Sequence, residues 1–116
     1  MKHNNDFKYD LKIGQIKEKE LADILENKKI EVKYDLQATD TGNVFVEYES
    51  RGKPSGISTT ESDYYCFAIG VCFVLIKTEY LKDICRTFLG STKDIFGGDS
   101  NSSKGILLPI SAFFSY

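Results

Sequence analysis

The sequence predicts an α/β fold: a small mixed β-sheet flanked by helices, with elements in the order α-β-β-α-β-α. Three observations carry that prediction. Apolar residues recur at helical spacing over 11–27 and again over 81–89. Strict alternation marks two strands, 29–35 and 43–49. The run 71–76 is continuously apolar, as in a strand covered on both faces.

Taken in order, residues 1–9 read as a loose lead-in. Over 11–27, Ile13, Ile16, Leu21, Ile24 and Leu25 recur at three and four, with Asp10 as the expected cap and Asn27-Lys28-Lys29 as the polar stop. Glu18 lies one turn before Leu21 and Ala22, at the edge of the core-facing stripe. A carboxylate there is costly unless paired, and a lysine such as Lys33 is the plain structural partner. The loop 36–42 between the two strands is rich in turn formers, which predicts a hairpin. Residues 50–56 read as a mobile linker with two cations, Arg51 and Lys53. Ser58-Thr59-Thr60-Glu61 is a capping box and predicts a helix over 59–69, stopped by Gly70. After the apolar strand, Thr78 caps a helix whose Leu81, Ile84, Cys85, Phe88 and Leu89 share one face, and Gly90 ends it. Residues 91–105 read as a polar loop. An edge strand over 106–110 closes at Pro109, followed by a short turn through 111–114.

A chain of 116 residues supports one domain with a modest core, here 1–116. Hydrophobic residues at 41% and charged ones at 28% are an ordinary globular balance. No stretch approaches the roughly 20 apolar residues a membrane helix needs, and the N-terminus has no apolar signal region. The expectation is a cytoplasmic protein with no membrane partner. Cys66, Cys72 and Cys85 are odd in number and form no Cys-x-x-Cys, and the sole histidine, His3, stands at the chain end. Zinc binding and Ser/His/Asp or Cys/His catalysis are thereby disfavoured, and buried reduced thiols are expected. A net charge of −2 argues against binding nucleic acid by bulk charge, while a cluster of acids that takes up cations is compatible with it.

The chemistry-bearing residues lie on the expected hairpin. Ile30, Val32 and Tyr34 share one face with Val44, Val46 and Tyr48; the opposite faces carry Glu31, Lys33 and Asp35, then Phe45, Glu47 and Glu49. Antiparallel pairing would gather Asp35, Glu47, Glu49 and Lys33. Carboxylates crowded this way are tolerated when solvated or bridged by a cation, and a hard divalent ion is the simplest bridge. A plain solvent-facing side of a hairpin accounts for the same alternation.

Element order and acidic positions together resemble the PD-(D/E)XK nuclease superfamily, particularly its small resolvase-like and phage-encoded members. The helix segment from Gly14 through Glu18 to Leu21-Ala22 and Leu25 is similar to the resolvase pattern. Asp35 stands where the family aspartate ends the first strand, and Glu47-Tyr48-Glu49 occupies the Glu-x-Lys position. The run from Thr41 to Ile57 also resembles a block found in phage proteins of this type. The likeness covers roughly residues 10–76 and departs at Glu49, where the family has lysine; Lys33 could supply that ammonium from the adjacent strand. A second alignment takes Glu31-Val32-Lys33 as the Glu-x-Lys.

The resemblance implies a restriction-endonuclease-like fold and a metal-dependent endonuclease that hydrolyses DNA phosphodiesters, phage-associated and using Mg²⁺ or Mn²⁺. It assigns Glu18, Asp35 and Glu47 as metal ligands, with Glu49 or Lys33 orienting the attacking water. Arg51 and Lys53, with Ser58, Thr59 and Thr60 at a helix N-terminus, would hold the DNA backbone. A homodimer would cut both strands, with the tail Phe113-Phe114-Ser115-Tyr116 as candidate interface. A nuclease-like fold without activity, serving as an accessory or interaction domain, is the alternative.

Overall fold

The structure, a computed structural model, describes residues 3–114, with the side chains of residues 3–6 and of Asp99 excepted. It is mixed α/β, but the strands divide between two sheets rather than one. Helix α1 (His3–Asn27) leads to β1 (Ile30–Tyr34), short α2 (Ala38–Thr41), β2 (Asn43–Ser50) and β3 (Lys53–Pro54). Then come β4 (Tyr64–Ile69), β5 (Cys72–Lys77), α3 (Thr78–Thr87), β6 (Asp94–Gly97) and β7 (Ser103–Pro109). One sheet has the order β1-β4-β5 and the other β3-β2-β7-β6.

Both strands of the expected hairpin form, yet they do not pair. β1 runs parallel to β4, with Ile30 opposite Tyr64 and Tyr34 opposite Ala68, whereas β2 pairs antiparallel with β7. The intervening residues close into α2, stopped by Gly42 at φ 73°, so the chain changes sheets instead of turning back. The expected helix over 59–69 is also replaced. A 3-10 turn (Gly56–Ser58) precedes β4, whose alternation sends Tyr65 and Phe67 into the core and leaves Tyr64, Cys66 and Ala68 on the opposite face. Burying those aromatics outweighs a capping box worth about 1 kcal/mol. Ser58 Oγ indeed donates to the Tyr48 carbonyl oxygen at 2.8 Å instead of capping a helix.

The core lies between the two sheets and α3. Val44 and Val46 from β2, Ile106 and Leu108 from β7, Tyr65 and Phe67 from β4, and Leu81, Ile84 and Cys85 from α3 meet there. The α3 stripe holds at Leu81, Ile84 and Cys85, but the helix ends at Thr87 with Phe88 as its cap, so Leu89 lies exposed beyond it; at the start Lys77 rather than Thr78 is the cap. The expected edge strand at 106–110 is instead the interior strand β7, and the supposed polar loop contributes β6 beside it. Pro109 is tolerated because it ends the strand, opposite Asn43. In the tail, the Phe113 ring stacks on Phe67 at 5.3 Å and seals the core, while Ser115 and Tyr116 lie outside the described residues.

The first helix departs most from expectation. It begins at His3, so Asp10 lies inside it rather than capping it, and of its described side chains only Ile24 is buried. It projects from the domain: the molecule measures 58 × 30 × 26 Å, with a radius of gyration of 17.0 Å, where about 13 Å is usual for this length. The outer face of the three-stranded sheet is likewise bare, with Val32, Tyr34 and Phe73 62–73% exposed, so β5 is not covered on both faces. Cys66 and Cys85 are buried free thiols as expected; Cys72 is exposed. Among the described residues no helix is long and apolar enough to cross a membrane.

Candidate functional site

β1 is an edge strand whose core-side face is charged. Its register with β4 puts Glu31 beside Tyr65 and Lys33 beside Phe67, so the face that continues the aromatic core carries an acid and a base. Lys33 Nζ lies 2.8 Å from Glu31 Oε2, and Thr60 Oγ1 donates to Glu31 Oε1 at 2.8 Å. Burial raises the Glu31 pKa, but the hydrogen bonds from Lys33 and Thr60 and the nearby ammonium outweigh it, leaving the carboxyl below its ordinary 4.5. Deeper in, the Tyr65 hydroxyl is buried and makes no hydrogen bond within 3.5 Å among the described residues, although Glu31 and Thr60 stand near enough to act on it. Burial, with the negative charge of Glu31 adding to it, pushes this phenol up to about 12.

Across from β1, β2 has a strand partner on that side only at Glu49 and Ser50, which leaves its Asn43–Tyr48 edge open to the gap between the sheets. Two cavities occupy this gap. One, of about 220 Å³, is lined by Lys33, Glu47, Gly56 and Tyr65; the other, of about 420 Å³, by Lys33, Asp35, Gln37 and Val44. Both share Lys33, Phe45 and Phe67, so they adjoin along that lining. The connection 55–60 straps its upper end. Ser55 Oγ donates to Glu47 Oε2 at 2.9 Å, and Ser55 N donates to the Tyr48 carbonyl at 3.1 Å. Gly56 holds φ +53°, with the Glu47 carbonyl where a Cβ would have to go, so only glycine lets the strap lie this close. At the lower end, Asp35 Oδ1 accepts from Gln37 N at 2.9 Å, which fixes that carboxylate over the turn into α2.

Of the predicted set, Lys33 lines both cavities, Glu47 the smaller and Asp35 the larger. The other two line neither. Glu18 is exposed on projecting α1, nine residues before its end, or ~13 Å along the axis. Glu49 lies in register with Lys104 of β7, because a bulge between Glu47 and Glu49 breaks the alternation that would align them. Lys104 is held charged there by Tyr48 first, with Asp94 and Glu49 adding negative potential. Among the described residues, no three His, Cys, Asp or Glu side chains stand together as a metal-holding group. Of the expected DNA contacts, Arg51 and Lys53 are exposed at the β2–β3 turn, where Arg51 and Gly52 both have positive φ. Ser58 and Thr60 serve the strap and Glu31, and Thr59 donates weakly to the Gly56 carbonyl at 3.4 Å; no helix begins there.

Sequence reasoning overlooked Tyr65 and Ser55 as cleft residues and ranked Glu31 second. The signal for Glu31 was present: Glu31, Lys33 and Asp35 alternate on one face, and that face turns inward. Tyr65 had none, because its place depends on β1 pairing with a strand more than thirty residues away, and Ser55 had none, because the segment after β2 read as a linker rather than as a strap bonded back to Glu47 and Tyr48. No family model matches the chain, and no curated protein or solved structure is found to resemble it.

Proposed function

We propose that the chain is a divalent-metal-dependent endonuclease that hydrolyses DNA phosphodiesters at the inter-sheet cleft. One observation supports the reading: Lys33 lines both of two adjoining cavities between the sheets, of which one takes in Glu47 and the other Asp35, two acids and the ammonium such chemistry needs. The resemblance to PD-(D/E)XK nucleases at these same positions adds to it.

The donor set suits a hard cation. Carboxylates of Asp35 and Glu47 and the hydroxyls of Ser55 and Tyr65 stand at the cleft, and no cysteine lines either cavity. Mg²⁺ is commonly held by one or two carboxylates, with waters and substrate phosphate completing its shell, so a cage of three acids is not required. Asp35 and Glu47 are the residues that would hold it. Once bound, the ion lowers the pKa of its water and polarises the phosphate.

The chain's own groups do the rest. Lys33 offsets charge on a phosphate entering the cleft, released in part from Glu31, which Thr60 continues to hold. Ser55 fixes the direction of the Glu47 carboxylate. The Tyr65 hydroxyl, with no hydrogen bond within 3.5 Å, offers a donor at the smaller cavity. Arg51 and Lys53, exposed on the β2–β3 turn, are placed for backbone phosphates outside it.

Nicking of supercoiled plasmid tests this. Wild type should nick with Mg²⁺ or Mn²⁺ and not with EDTA, and Glu47→Gln and Lys33→Met should each lose at least about a hundredfold in rate. Absence of nicking by wild type, or undiminished nicking by Glu47→Gln, would reject the assignment. A nuclease-like domain without activity is the second reading. The outlying position of Glu18 on α1 favours it; failure to nick together with an Mn²⁺-dependent rise in melting temperature that Asp35→Ala abolishes would support it, and failure of both would leave a plain interaction domain.

A further inference from the structure

We propose that α1 is a dimerisation helix, pairing antiparallel with α1 of a second copy of this chain. This does not rest on the reading of the cleft. A 25-residue helix with one buried side chain among those described lacks the tertiary packing from which helices in proteins draw most of their stability. Phe7, Leu11, Leu21 and Leu25 repeat at the four-and-three spacing of a coiled-coil seam, with Gly14 and Glu18 filling the two middle positions. All four apolar members are 46–68% exposed. The stripe lies about 100° around the helix from Ile24, the residue that faces the domain, so the attachment of α1 leaves it clear.

The stripe is self-complementary in one orientation. Reversed on itself, it sets Phe7 against Leu25 of the second copy, Leu11 against Leu21, and Gly14 against Glu18. Every pair is centred on residue 16, so a single two-fold axis satisfies them all. Gly14 has open space where a Cβ would stand, and it is the small residue facing the one acid in the seam. Lys17 of the second copy lies about one turn from that acid. Charge favours the same orientation: the first half of the helix carries Lys8 and Lys12 with Asp6 and Asp10 and is neutral. The second carries Glu18, Glu20, Asp23 and Glu26 against Lys17 and Lys19 and is net negative, so parallel pairing would set two negative halves together. Antiparallel pairing brings unlike halves together, and parallel pairing would bring like halves together.

Sedimentation equilibrium and small-angle scattering test this on the full chain. Wild type should be a dimer at micromolar concentration. Leu11→Glu with Leu21→Glu, at exposed positions that leave the domain core intact, should weaken association at least about a hundredfold, since it puts charges into an apolar seam. Glu18→Leu should tighten the dimer, a gain that a solvent-exposed glutamate on a free helix would not give. With Cys72→Ser as background, Leu11→Cys plus Leu21→Cys should oxidise to a covalent dimer, and Leu11→Cys alone should not. A monomeric wild type, compact with α1 folded onto Val32, Tyr34 and Phe73 of its own sheet, would overturn the proposal. So would a dimer indifferent to the two glutamates.

Discussion

Replacing Gly56 by alanine should cost far more than the same change at Gly52, although both glycines have positive φ, +53° and +78°. At Gly52 nothing lies within 4 Å of the added Cβ. Only the left-handed backbone is strained there, at about 1–2 kcal/mol. At Gly56 the new methyl meets the Glu47 carbonyl oxygen, and the Glu47 Cβ stands 3.1 Å away. Neither is the flexible end of a side chain, so the strap must lift. Lifting it endangers the Ser55 Oγ–Glu47 bond of 2.9 Å and the Ser55 N–Tyr48 bond of 3.1 Å, each worth about 0.5–1.5 kcal/mol. Gly56→Ala should therefore lose about 2–4 kcal/mol, at least about 1 kcal/mol more than Gly52→Ala. Urea denaturation followed by circular dichroism measures both as a shift in midpoint at constant slope. Equal losses at the two glycines would refute the close approach of strap and strand on which the upper wall of the cleft depends.

Tyr65→Phe should leave stability unchanged or raise it by up to about 1 kcal/mol, because its buried hydroxyl makes no hydrogen bond within 3.5 Å; a loss beyond about 1 kcal/mol in a thermal melt would show that Glu31 or Thr60 bonds it. The Glu31–Lys33 pair predicts an acid-side effect. A carboxyl whose folded pKa is depressed stabilises fully above its ordinary value of 4.5 and loses that contribution as pH falls through its folded value. The stability difference between wild type and Lys33→Met should therefore be constant over roughly pH 6–8 and shrink below about pH 4.5. A difference that persists unchanged to pH 3 would place the lysine elsewhere.

What could be read from the chain was what local periodicity decides. The α3 stripe of Leu81, Ile84 and Cys85 and the alternation that buries Val44 and Val46 of β2 follow from one element burying one face; β1 stands where expected but turns its charged face inward and leaves Val32 and Tyr34 exposed. Pairing is another matter. β1 and β2 stand in different sheets because β1 takes a parallel partner, β4, and no turn residue between Leu36 and Gly42 encodes that choice. Tyr65 and Phe67 read as helix behind a capping box because their burial is a tertiary fact. Gly97 and Gly105 read as loop formers, yet they are strand residues that make room for the Phe45 ring: an added Cβ would approach it to 2.9 and 2.6 Å. The displacement of Glu49 comes from a bulge, which inserts one residue into a ladder without any signature in its side chains.

Occupancy of the cleft by a divalent ion is tested most directly by the thermal midpoint as a function of Mn²⁺ concentration. Wild type should gain stability in a saturating manner, by about 2.7 kcal/mol at a hundred times the dissociation constant. Asp35→Ala and Glu47→Ala should each abolish the gain, and Glu18→Ala should leave it in place. A wild-type midpoint indifferent to Mn²⁺, or a rise that survives loss of both cleft carboxylates, would contradict a metal site between the sheets.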